Sequence, residues 1–211
     1  MPAPRVSGRE KWKYKKWFTI VTPEILGEIP VANVPADDAS KMIGRSIEVT
    51  LYDLTGDVTQ LHIRFLLQVV DVQENIAKTV FKQVYLSRDY LRSLTKRKSS
   101  KITLIKDFTT KDNARIRVTA TVFTTYRCKT SQKKLIRGSI REVLENMIRE
   151  MKLDEFIQNI ISGTVQNKLF EVSKKIYPVR KAEIAKVKIL RQPEIIEEKS
   201  VETVPSAQTS S

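Results

Sequence analysis

Between residues 46 and 126 apolar and polar side chains alternate, the pattern of strands that bury one face. Ile47, Val49 and Leu51 alternate with Glu48, Thr50 and Tyr52, and the stretch 53–57, Asp-Leu-Thr-Gly-Asp, predicts a turn. Leu61, Ile63, Phe65, Leu67 and Val69 make a longer run. Residues 71–77 predict the end of a hairpin, with Val80, Val84 and Leu86 on one face of the return strand. Residues 102–105, Ile-Thr-Leu-Ile, predict a short strand, and Ile116, Val118, Ala120 and Val122 the most regular one. One short helix interrupts the series: Ser87 is its expected N-cap, with Tyr90, Leu91 and Leu94 on one side. Beyond residue 130 the period becomes helical, about 3.6 residues. Ile136, Ile140, Val143, Leu144, Met147, Ile148 and Met151 line one face, with Arg137, Arg141, Glu145 and Arg149 outside. A second helical segment spans 153–161, and Ser162-Gly163-Thr164 breaks it. A third carries Val165, Leu169, Val172 and Ile176 and stops at Pro178. Ala185, Val187 and Ile189 then alternate in a last strand. Strands first, helices second and one strand returning predict an α+β fold. The six alternating strands predict a small, mostly antiparallel six-strand β-barrel covered by the C-terminal helices.

Residues 1–45 show no sustained period. Pro2, Pro4, Pro23, Pro30 and Pro35 punctuate them, which predicts an extended N-terminal arm that orders against a partner. Residues 46–193 then form a single α+β domain. The stretch 194–211 is acidic and Ser-rich with little to bury, and predicts a disordered tail.

Charge sharpens this division. The 211 residues carry +14, while the tail holds four glutamates against one lysine. The tail is therefore −3 and the other 193 residues +17. Such a body repels itself unless a polyanion neutralises it, so a cationic partner is excluded and a nucleic acid favoured. The cations fall in four clusters. Lys11, Trp12, Lys13, Tyr14, Lys15, Lys16 and Trp17 interleave them with aromatics in the arm. Arg92, Lys96, Arg97, Lys98 and Lys101 form the second cluster. Arg127, Lys129, Lys133, Lys134 and Arg137, with Arg141, form the third, without an acid among them. Lys174, Lys175, Arg180 and Lys181, followed by Lys186, Lys188 and Arg191, form the fourth. Lys and Arg neutralise phosphates and release counterions, and Trp12 and Tyr14 can stack on exposed bases. Any one cluster could equally be a solvated surface. Trp17 and Phe18 could equally anchor a core.

Catalytic chemistry finds no constellation in the chain. His62 is the single histidine and lies in an alternating strand, where it reads as a surface or half-buried position. Cys128 sits between Arg127 and Lys129 and reads as a structural thiol. A lone cysteine leaves neither a disulfide framework nor a Cys-rich zinc site, and a reducing, cytosolic setting fits. Asp37-Asp38 read as caps of a short helical stretch rather than metal ligands. Six isolated glycines build no phosphate cradle. No apolar run is long enough to span a bilayer, and the basic start has no apolar segment of a secretory signal behind it. The expectation is a non-enzymatic protein without metal or cofactor. An RNA-processing enzyme, a free RNA-binding regulator or chaperone, and a peripheral membrane protein stay as alternatives.

Several stretches resemble a known family. Residues 12–24, Trp-Lys-Tyr-Lys-Lys-Trp-Phe-Thr-Ile-Val-Thr-Pro-Glu, are similar to the opening of the small-subunit ribosomal protein family S-three-a-e, also called e-S-one, of archaea and eukaryotes. Residues 44–54, 86–94, 141–151, Ile176-Tyr177-Pro178 and 187–190 match its later landmarks in order, over about residues 10–193. The turn at Glu74-Asn75 looks shorter than in eukaryotic relatives, and the tail from Glu194 departs from them. The resemblance implies a cytoplasmic structural constituent of the archaeal small (30S) ribosomal subunit, on its platform near the 3′ end of the RNA and the messenger exit. It implies small-subunit ribosomal RNA and neighbouring ribosomal proteins, including universal protein S-eleven, as partners, with mRNA near the exit and no membrane.

Overall fold

Alternation from Ile47 onward yields most of the strands it predicts. However, Leu61 lies exposed ahead of the strand that starts at Ile63, and a bulge beside Lys82 puts Phe81 rather than Val80 on the face of Val84 and Leu86. In the computed structural model, which describes residue 12 and residues 15–192, β3 (Ser46–Thr50), β4 (Ile63–Gln73) and β5 (Ile76–Leu86) form an antiparallel meander. The β4–β5 hairpin turns at Glu74, whose φ of 53° is left-handed. β6 (Lys101–Thr109), β7 (Arg115–Thr124) and β8 (Val179–Arg191) form a second antiparallel group in the order β6-β7-β8. β5 joins the two groups through residues 83–85, paired with Lys188, Val187 and Lys186 of β8.

Two further strands lie where an arm was expected. β1 (Lys16–Val21) and β2 (Pro30–Ala36) form a hairpin, and β1 runs parallel to the first residues of β5, 76–78. Of the prolines that argued against regular structure, Pro30 and Pro35 sit in β2, which among the described residues pairs only with β1. An edge strand tolerates Pro because one side of it needs no ladder N–H. β5 is thus forked: one edge carries β4, and the other carries β1 at its start and β8 at its end. The sheet is mixed and eight-stranded, and its termini β3 and β6 do not pair with each other. The closed six-strand barrel is therefore incorrect; alternation reports a buried face but not whether edges meet. The overall α+β class holds.

Other differences are local. The strand pattern through Tyr52 ends at Thr50, and α1 (Leu51–Thr55) replaces the expected turn. Thr50 Oγ1 accepts from the Asp53 N–H while the Asp53 carboxylate accepts from the Thr50 N–H, a capping box that starts a helix in a strand-like sequence. Gly56 ends it at φ 76°, a conformation that costs glycine little. β6 is longer than the four residues its apolar run predicted, because polar positions continue the pairing with β7 to Thr109.

The helices follow their periodicity: α2 (Arg88–Leu94), α3 (Thr130–Glu150), α4 (Leu153–Ile161) and α5 (Thr164–Lys174). Ser87 caps α2 as expected, its Oγ accepting from the Tyr90 N–H at 3.3 Å. Ile136, Ile140, Leu144 and Ile148 of α3 are buried in one core with Phe65, Ile102, Ile116 and Val122 of the sheet and Phe156, Val165 and Leu169 of α4 and α5. A separate, smaller cluster of Phe18, Ile20, Ala36, Met42, Val69 and Ala77 lies under the β1–β2 hairpin.

Candidate nucleic-acid interface

Three of the four basic clusters converge, through contacts that cross long stretches of sequence. α2 hands the chain to the loop 95–100, and Ser100 fastens that loop to the β7–α3 connection. The Ser100 N–H donates to Thr124 Oγ1 (2.9 Å), its carbonyl accepts from the Thr124 N–H (3.0 Å), and its Oγ accepts from the Cys128 N–H (3.1 Å). The Thr125 N–H donates to the Pro178 carbonyl (3.1 Å), and Tyr177 Oη donates to the Arg127 carbonyl (3.3 Å). In the sheet, Lys101, Phe123 and Lys181 lie opposite one another. The loops around 96–101, 125–129 and 175–181 therefore meet at one end of the sheet.

Lys96, Arg97, Lys98, Lys101, Arg127, Lys129, Lys134 and Arg180 are all exposed there, as are Arg92, Lys174 and Lys175 on the adjoining helix ends. Among the described residues none of these forms an ion pair with a carboxylate. Lys133 is half-buried, and Arg137 is occupied, its Nε donating to the Thr103 carbonyl of β6 at 3.2 Å. Tyr126, 65% exposed beside Arg127, places an aromatic ring among the cations. Sequence reasoning passed over it, although Tyr126-Arg127-Cys128-Lys129 interleaves rings and cations as the arm does.

The later part of the fourth cluster forms a second feature. β8 sets Lys186 and Lys188 between Tyr85 and Gln83 of β5 and Thr119 and Arg117 of β7, so all share one sheet face. Arg115 lies opposite Arg191 further along. Arg117 and Arg115 are tied to Asp107 (2.6 and 3.5 Å), and Arg64 to Glu48 (2.6 Å). The Arg117 hydrogen bond holds the Asp107 carboxyl below its ordinary range, and that of Arg64 does the same for Glu48. Lys186 and Lys188 are exposed, and among the described residues neither forms an ion pair with a carboxylate along this face. The fourth cluster already held Lys186, Lys188 and Arg191, but not their neighbours, because the stripe is assembled across strands more than 60 residues apart.

The first cluster is elsewhere. Lys16 opens β1, and β1 pairs with the start of β5, whereas α2 follows the end of β5. An 11-residue strand separates the two by about 35 Å. Lys15 lies over the Trp12 ring at 4.0 Å, and both Trp12 and Trp17 are exposed. Phe18 is buried at 2%, so of the two candidate core anchors only Phe18 is one. Lys11, Lys13 and Tyr14, and the tail 194–211, lie outside the described residues.

Lys181 is not free: its Nζ donates to Tyr90 Oη and pairs with Glu183 Oε1 at 2.9 Å. Burial works to lower its pKa, but the hydrogen bonds to Tyr90 and Glu183 outweigh this and raise it. Tyr90 Oη in turn donates to Glu183 Oε1 at 2.9 Å. His62 precedes β4 and stacks on Tyr90, with ring centroids 4.1 Å apart, and burial pushes its pKa down. Cys128 is buried. Asp37 and Asp38 make no side-chain cap; both pair with Lys41, at 3.1 and 3.4 Å. Among the described residues no group of three or more His, Cys, Asp or Glu side chains is placed to hold a metal ion. No described helix is long and apolar enough to cross a membrane.

The sequence pattern of the Ribosomal S3Ae family matches residues 5–193. The chain belongs to that family. It is 47% identical over 194 residues to small ribosomal subunit protein eS1 of Staphylothermus marinus, covering 92% of each chain. It is 48% identical over 185 residues to the eS1 protein of Desulfurococcus amylolyticus, with 88% of this chain and 87% of the relative covered. The eS1 protein of Ignicoccus hospitalis is 47% identical over 187 residues, 88% of each chain. All the converging loops and β8 lie within the family match.

Proposed function

We propose that the chain is a structural constituent of the small ribosomal subunit in the cytoplasm, and that it holds small-subunit ribosomal RNA rather than transforming it. The observation that carries this reading is the meeting of three basic clusters at one end of the sheet, in a family whose relatives are named small ribosomal subunit proteins. Unpaired, exposed cations on a rigid scaffold suit a phosphate backbone, which is bound through charge and counterion release. RNA lies against the loops at 96–101, 125–129 and 175–181 and along Lys186 and Lys188. Trp12, Lys15 and Lys16 reach a second stretch of RNA from the far end of β5. Family resemblance supports the finer address: the platform, near the RNA 3′ end and the messenger exit, beside universal protein S-eleven.

Sedimentation of a cell lysate through a sucrose gradient tests the assignment. The protein is expected to travel with the small subunit and to remain there after a wash at moderate salt. Spread across the light fractions would instead identify a free RNA-binding regulator.

A further inference from the structure

A cleft of about 430 Å³ opens beside the converging basic loops, between the start of β4, α2, the α4–α5 turn and the start of β8. Its size falls in the range of small-ligand pockets. His62, Tyr90, Ile160 and Phe170 line it together with the side-chain amides of Gln166 and Asn167, and Arg180 and Lys181 supply positive charge. The one carboxylate of the wall, Glu183, is 6% exposed and already satisfied by Lys181 and Tyr90. Arg180 therefore carries the cleft's unbalanced charge, and it also belongs to the basic end described above.

The ring pair is held firmly. Tyr90 Oη is fixed by Glu183 and Lys181, the Lys181 ammonium lies 5.1 Å from the Tyr90 ring centre, and His62 stacks on the same ring. With Tyr90 engaged in this way, the flat surface left for a ligand is the imidazole of His62, backed by tyrosine. Burial favours the neutral imidazole, which stacks without bringing a charge into the cleft. A planar platform, a lining that mixes Ile160 and Phe170 with the amides of Gln166 and Asn167, and one exposed arginine match one ligand chemistry: an aromatic heterocycle attached to a phosphate. Single-stranded and looped RNA offers this as an unstacked nucleotide, and His and Tyr rings are among the surfaces on which such bases settle.

The geometry points to a nucleotide-binding cleft in which one unstacked RNA base stacks on His62 while its phosphate meets Arg180. This rests on the RNA-binding reading above and deepens it, adding a site that recognises single-stranded RNA to a surface that otherwise reads only charge.

The test uses the full chain, a ten-nucleotide oligouridine containing one 4-thiouridine, and a blunt-ended RNA duplex of 20 base pairs. His62→Ala is expected to bind the decamer about tenfold more weakly, the scale of a lost base–aromatic stack. Its affinity for the duplex, which has no unstacked base to give, should stay within twofold. Arg180→Gln, at an exposed position, should weaken decamer binding about threefold without moving the melting temperature. Ultraviolet cross-linking of the wild type should place the thiouridine adduct on the peptide holding His62 or Tyr90. Decamer binding unchanged in both variants, with duplex binding intact, would overturn the cleft while leaving the RNA-binding surface standing. Equal losses on decamer and duplex would overturn it too, as would a cross-link from His62 to another protein in purified subunits. A wild-type protein that binds neither probe would instead remove the RNA-binding reading itself.

Discussion

Neutralising three cations at the basic end tests whether charge acts there as a surface or only as a total. Lys96, Arg97 and Lys101 are exposed and unpaired among the described residues, on a loop pinned by Ser100 to the β7–α3 connection. Changing all three to Gln should leave the fold intact, since none is buried. If each contacts one phosphate, the log–log salt dependence of RNA binding should become shallower by about 0.7–0.9 per residue, or about 2–3 in all. Between 50 and 200 mM salt the wild type, with roughly 6–10 phosphates engaged, should lose about 10³- to 10⁵-fold in affinity. The triple variant should lose about 20- to 40-fold less over the same range. The comparison is a second triple variant, Lys41→Gln, Lys106→Gln and Arg149→Gln. It changes net charge equally but removes cations held by Asp37 and Glu145 at 3.1, 2.9 and 3.1 Å. Filter binding to a small-subunit RNA fragment at five salt concentrations gives both slopes. If the two variants shift the slope equally, RNA senses only total charge and the argument from converging loops fails.

Leu144 is fully buried in the main core, and Leu144→Ala should cost about 2–5 kcal/mol in guanidinium unfolding; a change under about 1 kcal/mol would show that α3 does not pack as described. Phe18→Ala should lower stability by about 3–5 kcal/mol, whereas Trp17→Ala, at a position 61% exposed, should leave the melting temperature nearly unchanged. Reversed effects would mean that β1 is rotated by one residue. His62 has a folded-state pKa below its unfolded value, so between those values the unfolded chain binds more protons. Its contribution is present above pH of about 6.5 and fades as pH falls through the folded pKa. Wild-type melting temperature should therefore drop more than that of His62→Gln between pH 7.5 and 5.5, and parallel curves would refute the shift.

Which parts of this molecule could be read in advance follows from the range of the forces involved. The helices and β3 to β8 are written locally, because each buries one face and its period shows directly in residues such as Ile136, Ile140 and Leu144. The β1–β2 hairpin was hidden by Pro30 and Pro35, whose cost depends on whether a neighbour needs their missing N–H. α1 was hidden because Thr50 and Asp53 override an alternating pattern by capping. The fork of β5 depends on partners about 55 residues before it and 100 after it. The basic clusters were visible as runs, but their convergence hangs on Ser100, Thr124 and Tyr177, none of which carries charge. Lys186 and Lys188 stood in the fourth cluster, but the face they share with β5 and β7 is set by strand register.

The forked edge of β5 has a consequence for how the chain opens. Among the described residues β1 and β2 pair with the rest of the sheet only through the first residues of β5. They share the smaller apolar cluster with Val69 and Ala77, and Val31 alone of the two strands packs on the larger core, so they should peel away before that core opens. Strands attached this way should exchange their amide hydrogens through partial opening, at a lower free energy than those of the β7–β8 ladder. Native-state hydrogen exchange should then show two tiers of cooperativity. The weaker tier includes the segment that bears Lys16 and Trp17, so the far end of the molecule can adjust its position during assembly without loosening the end where the basic loops meet.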